Sequence, residues 1–374
     1  MRESLSSGHD IRSFFTNSLV VLTIACLILC LAPSVDADDT SDLQTAINNT
    51  SENGTLELSG NYTLSGPVTI SKAITIDGTS AKYTITGSNN SNVFNITSGD
   101  VVLKNLTINS SGTGIAVNST GDSLTVSDCV ISSSERGINF KTTAASDASL
   151  TVQNTQVTNP EAETTYGVDY GADNRGIAIN DVRAGQVSIS GCTVTGFKYG
   201  INAVISTDVC PTGPRDANGT IYNITNTTVL GWAALNITSA DSTFNVTNCT
   251  FTGVNKFAYE SGSNDYATIN ANDVMYAGTS GNNTTVNIYG GSITAVSYST
   301  CYQAAVYIDR YGYTDYNFMM NDDAFIQVIV KSDNGTAFAF LSQYDSPVDI
   351  DQYISDSGFY ANVLYLTMPI DSAA

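Results

Sequence analysis

The chain has 374 residues, 35 acidic against 14 basic, and a single histidine, His9. A net charge of −21 without basic clusters argues against nucleic acid or an anionic membrane surface as partner. Hydrophobic residues make up 42% and alternate with polar ones over most of the chain, which excludes a disordered polymer.

Residues 1–37 read as a cleaved secretory signal. Arg2 and Arg12 precede an apolar run from Leu19 to Leu31, and Val35-Asp36-Ala37 has the small-residue spacing of a cleavage site. The run is short for a membrane span. A secreted or cell-surface protein with no span after cleavage is therefore expected. Removal of this segment leaves a net charge of −20 and no histidine. Ser/His or Cys/His nucleophile pairs and His-ligated zinc or iron are thereby excluded from the mature chain. No cofactor is expected, and weak Ca²⁺ binding stays open.

Ser41-Asp42-Leu43-Gln44 has the Ser-x-x-Gln spacing of a capping box, and Leu43 and Ile47 share one face of the short helix that follows. Residues 38–66 are read as an N-terminal cap, 67–335 as the body with insertions, and 336–374 as a last coil with a C-terminal cap.

The body is written in two recurring phrases. LTVSDCVIS begins at Leu124, LTVQNTQVT at Leu150, VSISGCTVT at Val187, YNITNTTVL at Tyr222, FNVTNCTFT at Phe244 and VNIYGGSIT at Val286. Between them come GIAV at Gly114, GINF at Gly137, GIAI at Gly176 and GINA at Gly200. Short alternating strands returning after roughly 22–40 residues describe a solenoid of stacked coils, about ten of them. Gly78, Gly87, Gly112, Gly114, Gly137, Gly176 and Gly200 are expected at corners that need left-handed backbone angles. Asp128, Asn154, Asn226 and Asn248 recur at one step, where Asn tolerates such angles and can form an amide ladder.

Five cysteines follow the signal. Alignment places Cys129, Thr155, Cys192, Thr227, Cys249 and Gly291 in one column, so cysteines two coils apart lie ~9.6 Å from each other, too far to bridge. Cys210 and Cys301 fall in insertions and are free to pair or not.

Two groups of insertion residues carry the candidate chemistry. Tyr166, Tyr170, Asp173 and Arg175, followed by Asp181, combine rings that could stack on sugars with charges that could hold them. Tyr259, Tyr298 and Tyr302 leave one corner on neighbouring coils and could form an aromatic patch. The plain alternatives are a solvated loop for the first group and rings covering the core for the second. No residue is assigned a catalytic or metal-binding role. Asn-x-Ser/Thr triplets are abundant, among them Asn61, Asn95, Asn105, Asn223, Asn236, Asn245, Asn282 and Asn334, which makes the chain a glycoprotein candidate.

DLQTAINN, then NGTLELSGNYTLSGPVTISKAITIDG, NLTI and the coil phrases resemble the pectate-lyase-like right-handed parallel β-helix superfamily, and within it the secreted adhesin-like surface proteins. The resemblance covers about residues 41–330 and implies an all-β, right-handed parallel β-helix with a short N-terminal capping helix. It leaves function open, because that fold serves lyases, hydrolases and adhesins alike. The His-Gly pair and Arg-x-Lys tripeptide of polygalacturonase-type hydrolases are missing. The expected function is a non-enzymatic adhesin-like protein that contacts glycans or cell-surface proteins. The alternative is a polysaccharide lyase or glycoside hydrolase that lacks a catalytic histidine.

Overall fold

The structure is a computed structural model. It describes residues 39–374 except 89, 143–147, 162–173, 181, 183–184, 205–219, 240–241, 256–266, 272–281, 298–301, 309–313, 321–323, 331–335, 343–345, 348–361 and 368–374. No helix among the described residues is long and apolar enough to cross a membrane.

Three parallel ladders build the molecule. The first runs from Gly54–Glu57 through Ser123–Ser127 to Thr314–Met320. The second runs from Tyr62–Leu64 through Val130–Ser132 to Asn362–Thr367. The third runs from Val68–Ile70 through Arg136–Lys141 to Thr336–Ser342. Among the described residues the first and third hold ten strands and the second eleven. Each strand meets its successor one coil later in the same direction, which is a parallel β-helix, with the right-handed sense of parallel crossovers. The first coil already begins at Gly54, ahead of residue 67.

The coil phrases stack in register. Leu124, Leu150, Val187, Tyr222, Phe244 and Val286 form one column. Alternation sends these inward to a continuous core, where the rings of Tyr222 and Phe244 lie parallel with centroids 4.2 Å apart. From the middle of the chain corners straighten: Thr193–Val204 and Thr228–Thr238 each serve the second and third ladders, and Thr243–Asn255 and Asn282–Ser297 the first and second.

In seven successive coils the corner between the first and second strands turns on a left-handed residue, joined in the last by Gly291 at φ 85°. Asn105, Asp128, Asn154, Gly191, Asn226, Asn248 and Gly290 occupy it with φ between 48° and 67°. The amide ladder expected there is short: Asn154 Nδ2 donates to Asp128 Oδ1 at 3.3 Å and Asn105 Nδ2 to Asp77 Oδ1 at 3.0 Å. Gly191 interrupts it. The carboxylate of Asp77 is held below its usual range; burial opposes this, but Asn105, Lys104 and the Thr79 N–H outweigh it.

Most corner glycines serve another purpose than the one expected. Of the seven, only Gly112 has a positive φ, 62°. Gly137, Gly176 and Gly200 share a column whose side chains would point inward. A Cβ there would stand 2.2–2.3 Å from a Cγ1 of Val157, Val194 or Val229 respectively. These positions require space, not backbone freedom. Gly114 is outside this column: its corner has two extra residues, so Ala116 stands opposite Gly137 instead.

The inner column is as expected. Cys129, Cys192 and Cys249 are buried free thiols, and Thr155 and Thr227 alternate with them at 1% exposure. Each donates to the carbonyl two residues back: Cys129 Sγ to Ser127 at 3.1 Å, Thr155 Oγ1 to Gln153 at 2.8 Å, Cys192 Sγ to Ser190 at 3.3 Å.

Helix α1, Thr40–Asn49, closes the first coil. Leu43 and Ile47 are its buried residues, as the spacing implies. The capping box does not form; Asp39 is the N-cap and makes no side-chain cap bond. Gln44 instead reaches the strand below: its Oε1 accepts from Thr69 N–H at 2.7 Å and its Nε2 donates to Thr69 O at 2.9 Å. Asp39 Oδ2 likewise accepts from Thr63 N–H at 2.9 Å. The helix thus satisfies an open strand edge with side-chain amides and carboxylates, which outweighs a cap on itself. Gln44→Ala should lower folding stability by about 1 kcal/mol. Gln44→Glu, which accepts but cannot donate, should fall between; chemical denaturation of the three proteins checks this order.

Candidate functional site

The outer surface of the third ladder differs from the rest of the coil. One column facing away from the core reads Ile115, Arg136, Arg175, Tyr199, Ala233, Ala267 and Ala304, its alanines buried; a second reads Asn95, Asn118, Asn139, Ala178, Asn202, Asn236, Asn270 and Tyr307 and is buried from Asn139 onward.

The second column is an amide ladder. Asn118 Nδ2 donates to Asn95 Oδ1 at 3.2 Å, and Asn139 Nδ2 to Asn118 Oδ1 at 2.7 Å. Ala178 breaks it, and Asn180 Nδ2 reaches Asn139 Oδ1 at 2.9 Å from two residues along. Above the break, Asn236 donates to Asn202 at 2.7 Å and Asn270 to Asn236 at 2.9 Å. Among the described residues of this column, the buried amide atoms without a hydrogen bond, Asn202 Nδ2 and Asn270 Oδ1, are the ends of this upper segment, facing Ala178 and Tyr307.

Cations and rings gather where the chain enters this face. Arg136 and Arg175 are in register, as are Arg175 and Tyr199, so the three follow one another coil by coil at ~4.8 Å spacing. Arg136 also donates to Asn139 Oδ1 at 3.2 Å. Lys198 Nζ lies 5.2 Å from the ring centroid of Tyr199 and 5.1 Å from that of Trp232, the chain's one tryptophan. Asn174 pins the corner: its Nδ2 donates to Ser134 O at 2.9 Å and its Oδ1 accepts from Lys198 N–H at 3.1 Å. Lys198, Tyr199 and Trp232 are each half-buried, so the rings are fixed and still reachable. Glu161 is exposed and accepts from Ser134 Oγ at 2.9 Å. Such an arrangement can stack the faces of a flat or ring-shaped ligand and hold its negative or hydroxyl groups.

Of the residues proposed from sequence, Arg175 belongs to this platform. Tyr166, Tyr170, Asp173, Asp181, Tyr259 and Tyr298 lie outside the described residues. Tyr302 starts the strand Tyr302–Ile308 in register with Thr336, and its side chain is likewise outside. Lys198, Tyr199, Trp232 and Arg136 were missed. Their signal is the residue pair before each inward glycine or alanine of the third strand, which reads Glu135-Arg136, Asn174-Arg175, Lys198-Tyr199 and Trp232-Ala233. Among the described residues no group of three or more His, Cys, Asp and Glu could hold a metal ion.

Fold and surface together define a parallel β-helix with a cationic and aromatic platform on one outer face. The parallel β-helix that the resemblance implied is thus the fold observed. Among solved structures the chain is similar to an endo-xylogalacturonan hydrolase from Aspergillus tubingensis, with TM-score 0.44, 10% identity, and coverage of 91% of this chain and 98% of the other. It is similar to pectate lyase Pel9A at TM-score 0.41 and 13% identity, covering 86% and 82%. It is also similar to the Dettilon tailspike protein at TM-score 0.37 and 10% identity, covering 85% and 67%. No protein-family model matches the chain, and a search of curated proteins finds no match. The fold rests on the ladder registers, and no residue role passes from these three proteins.

Proposed function

We propose that the protein works outside the cell as a non-enzymatic, adhesin-like β-helix whose third face contacts glycans or neighbouring cell-surface proteins. The observation that supports this reading is the platform itself: Lys198 between the rings of Tyr199 and Trp232, followed down the same face by Arg175 and Arg136. Ring faces suit the apolar side of a sugar, and the cations suit its hydroxyl or acidic groups. In a chain of net charge −20 after the signal, a local cluster of cations is a specific feature, not a consequence of composition.

Trp232 supplies its own assay. Titrating the protein with neutral and acidic oligosaccharides, with and without Ca²⁺, should give a saturable change in its emission. By calorimetry Trp232→Ala should weaken binding about tenfold while the melting temperature stays within a few degrees. Unaltered affinity in that variant would remove the platform from the contact. New reducing ends or unsaturated products would replace the adhesin reading by a polysaccharide lyase or glycoside hydrolase.

A further inference from the structure

Among the described residues, two sets of Asn-x-Ser/Thr triplets stand out that strand alternation alone cannot separate. In the first, the amide nitrogen is engaged within the fold. Asn118 donates to Asn95, Asn245 to Asn223 at 3.0 Å, and Asn105 to Asp77. Asn236, 5% exposed, sits inside the third-face ladder between Asn202 and Asn270. A sugar on any of these would take one of the two N–H groups of an amide already engaged in the fold, and at Asn236 it would have no room.

In the second set the asparagine is exposed. Asn49, Asn53 and Asn61 surround the capping helix and first coil, and Asn226 and Asn248 sit at the left-handed corner. Asn61 engages only its oxygen, which accepts from Thr84 N–H at 2.9 Å. The hydroxyl residues completing the triplets, Ser51, Thr55, Thr228 and Thr250, are exposed, and Thr63 is half-buried. Asn48 is set apart because its triplet depends on Thr50, whose hydroxyl donates to Ala46 O at 2.9 Å.

We propose that Asn49, Asn53, Asn61, Asn226 and Asn248 are N-glycosylation acceptors among the described residues, and that Asn118, Asn236 and Asn245 remain bare. The donor is an oligosaccharide on a polyprenyl phosphate carrier. Asn Nδ2 attacks C1 of the sugar, the C1–O bond to phosphate breaks with its electron pair, and one amide proton passes to solvent; nothing is oxidised. Asn53, Asn226 and Asn248 have φ of 59°, 48° and 52°, so each presents its side chain from a tight turn. Asn226 and Asn248 lie at the corner between the first and second ladders, so sugars there leave the third face open. Within the third face the triplets at Asn95, Asn118 and Asn236 are ladder members. The proposal shares with the proposed function only an extracellular destination, and either can fail without the other.

Protein purified from its native producer, digested and read by mass spectrometry, should carry sugar on the peptides of these five asparagines and none on Asn118, Asn236 or Asn245. A chain without attached sugar, or sugar on any of those three, would overturn the assignment. A triple variant, Ser51→Ala, Thr55→Ala and Thr63→Ala, made in the same producer, leaves each asparagine in place. It should lose the mass of three glycans and keep its Trp232 binding signal; an unchanged mass would also overturn the proposal.

Discussion

Gly176→Ala is expected to reduce folding stability by about 3 kcal/mol, the upper part of the range for overpacking. The added methyl would lie 2.3 Å from Val194 Cγ1, 2.6 Å from the backbone oxygen of Gly200 and 3.1 Å from Phe197 Cδ2. A side chain could rotate away, but the oxygen belongs to the next coil of the same ladder and moves only with it. Gly60→Ala and Gly66→Ala are the controls, since nothing lies within 4 Å of a methyl at either position. Both should stay within about 0.5 kcal/mol of the parent. Urea denaturation of the three variants decides the matter. A tolerated Gly176→Ala would mean that this corner yields, and the space argument for Gly137 and Gly200 would fall with it.

Alkaline pH should destabilise the fold through the buried column. Burial pushes the Cys129 and Cys249 thiols up to about 11, against an ordinary value of 9.0, with backbone hydrogen bonding offsetting part of the rise. Cys192 is raised by the same cause. Between pH 9 and 11 the unfolded chain gives up thiol protons that the folded chain keeps, so rising pH favours unfolding. The contribution is complete below pH 9 and is lost as pH climbs toward 11, about 2–3 kcal/mol for each of the two thiols. Lysines and tyrosines titrate in the same window, so the difference from a Cys129→Thr, Cys249→Thr variant is the proper measure. Threonine already fills the column at Thr155 and Thr227 and makes the same carbonyl bond. The variant should match the parent at pH 7 and exceed it at pH 10.5. Parallel pH curves would show that the thiols ionise freely.

The architecture was readable because its grammar is strict. A period-two strand, a two-residue corner and a second period-two strand allow only one stacking, so all six phrase starts fell into one column. The inner Cys/Thr column followed for the same reason. Where corner length varies, reading failed: two extra residues before Gly114 shifted its phrase out of the column of Gly137. Gly and Asn also carry more than one meaning. A glycine read as a left-handed turn was, at Gly137, Gly176 and Gly200, a vacancy needed by a valine one coil away. Gln44, read as half of a capping box, found a better partner in Thr69, 25 residues on. The platform stayed hidden because Lys198 and Trp232 are far apart in sequence and meet only through the register of Tyr199 with Ala233. No local motif announces such a pair.

Ser123 pairs with Ser149 and Val130 with Gln156, so the first two strands of this coil close on the next with one shared offset, and the insertion before Arg175 is absorbed at the corner ahead of the third strand. Each coil recognises its neighbour by column identity alone: an inward hydrophobe, a left-handed corner residue, a small polar residue beneath it. Recombination that removes or duplicates a whole coil therefore produces a chain in which every strand still finds a matching edge. Cuts at any other spacing put hydrophobes on the outside. Genes for such a protein are free to lengthen and shorten in coil-sized steps, and the height at which the platform stands above the capping helix is a variable that selection can set independently of the platform itself.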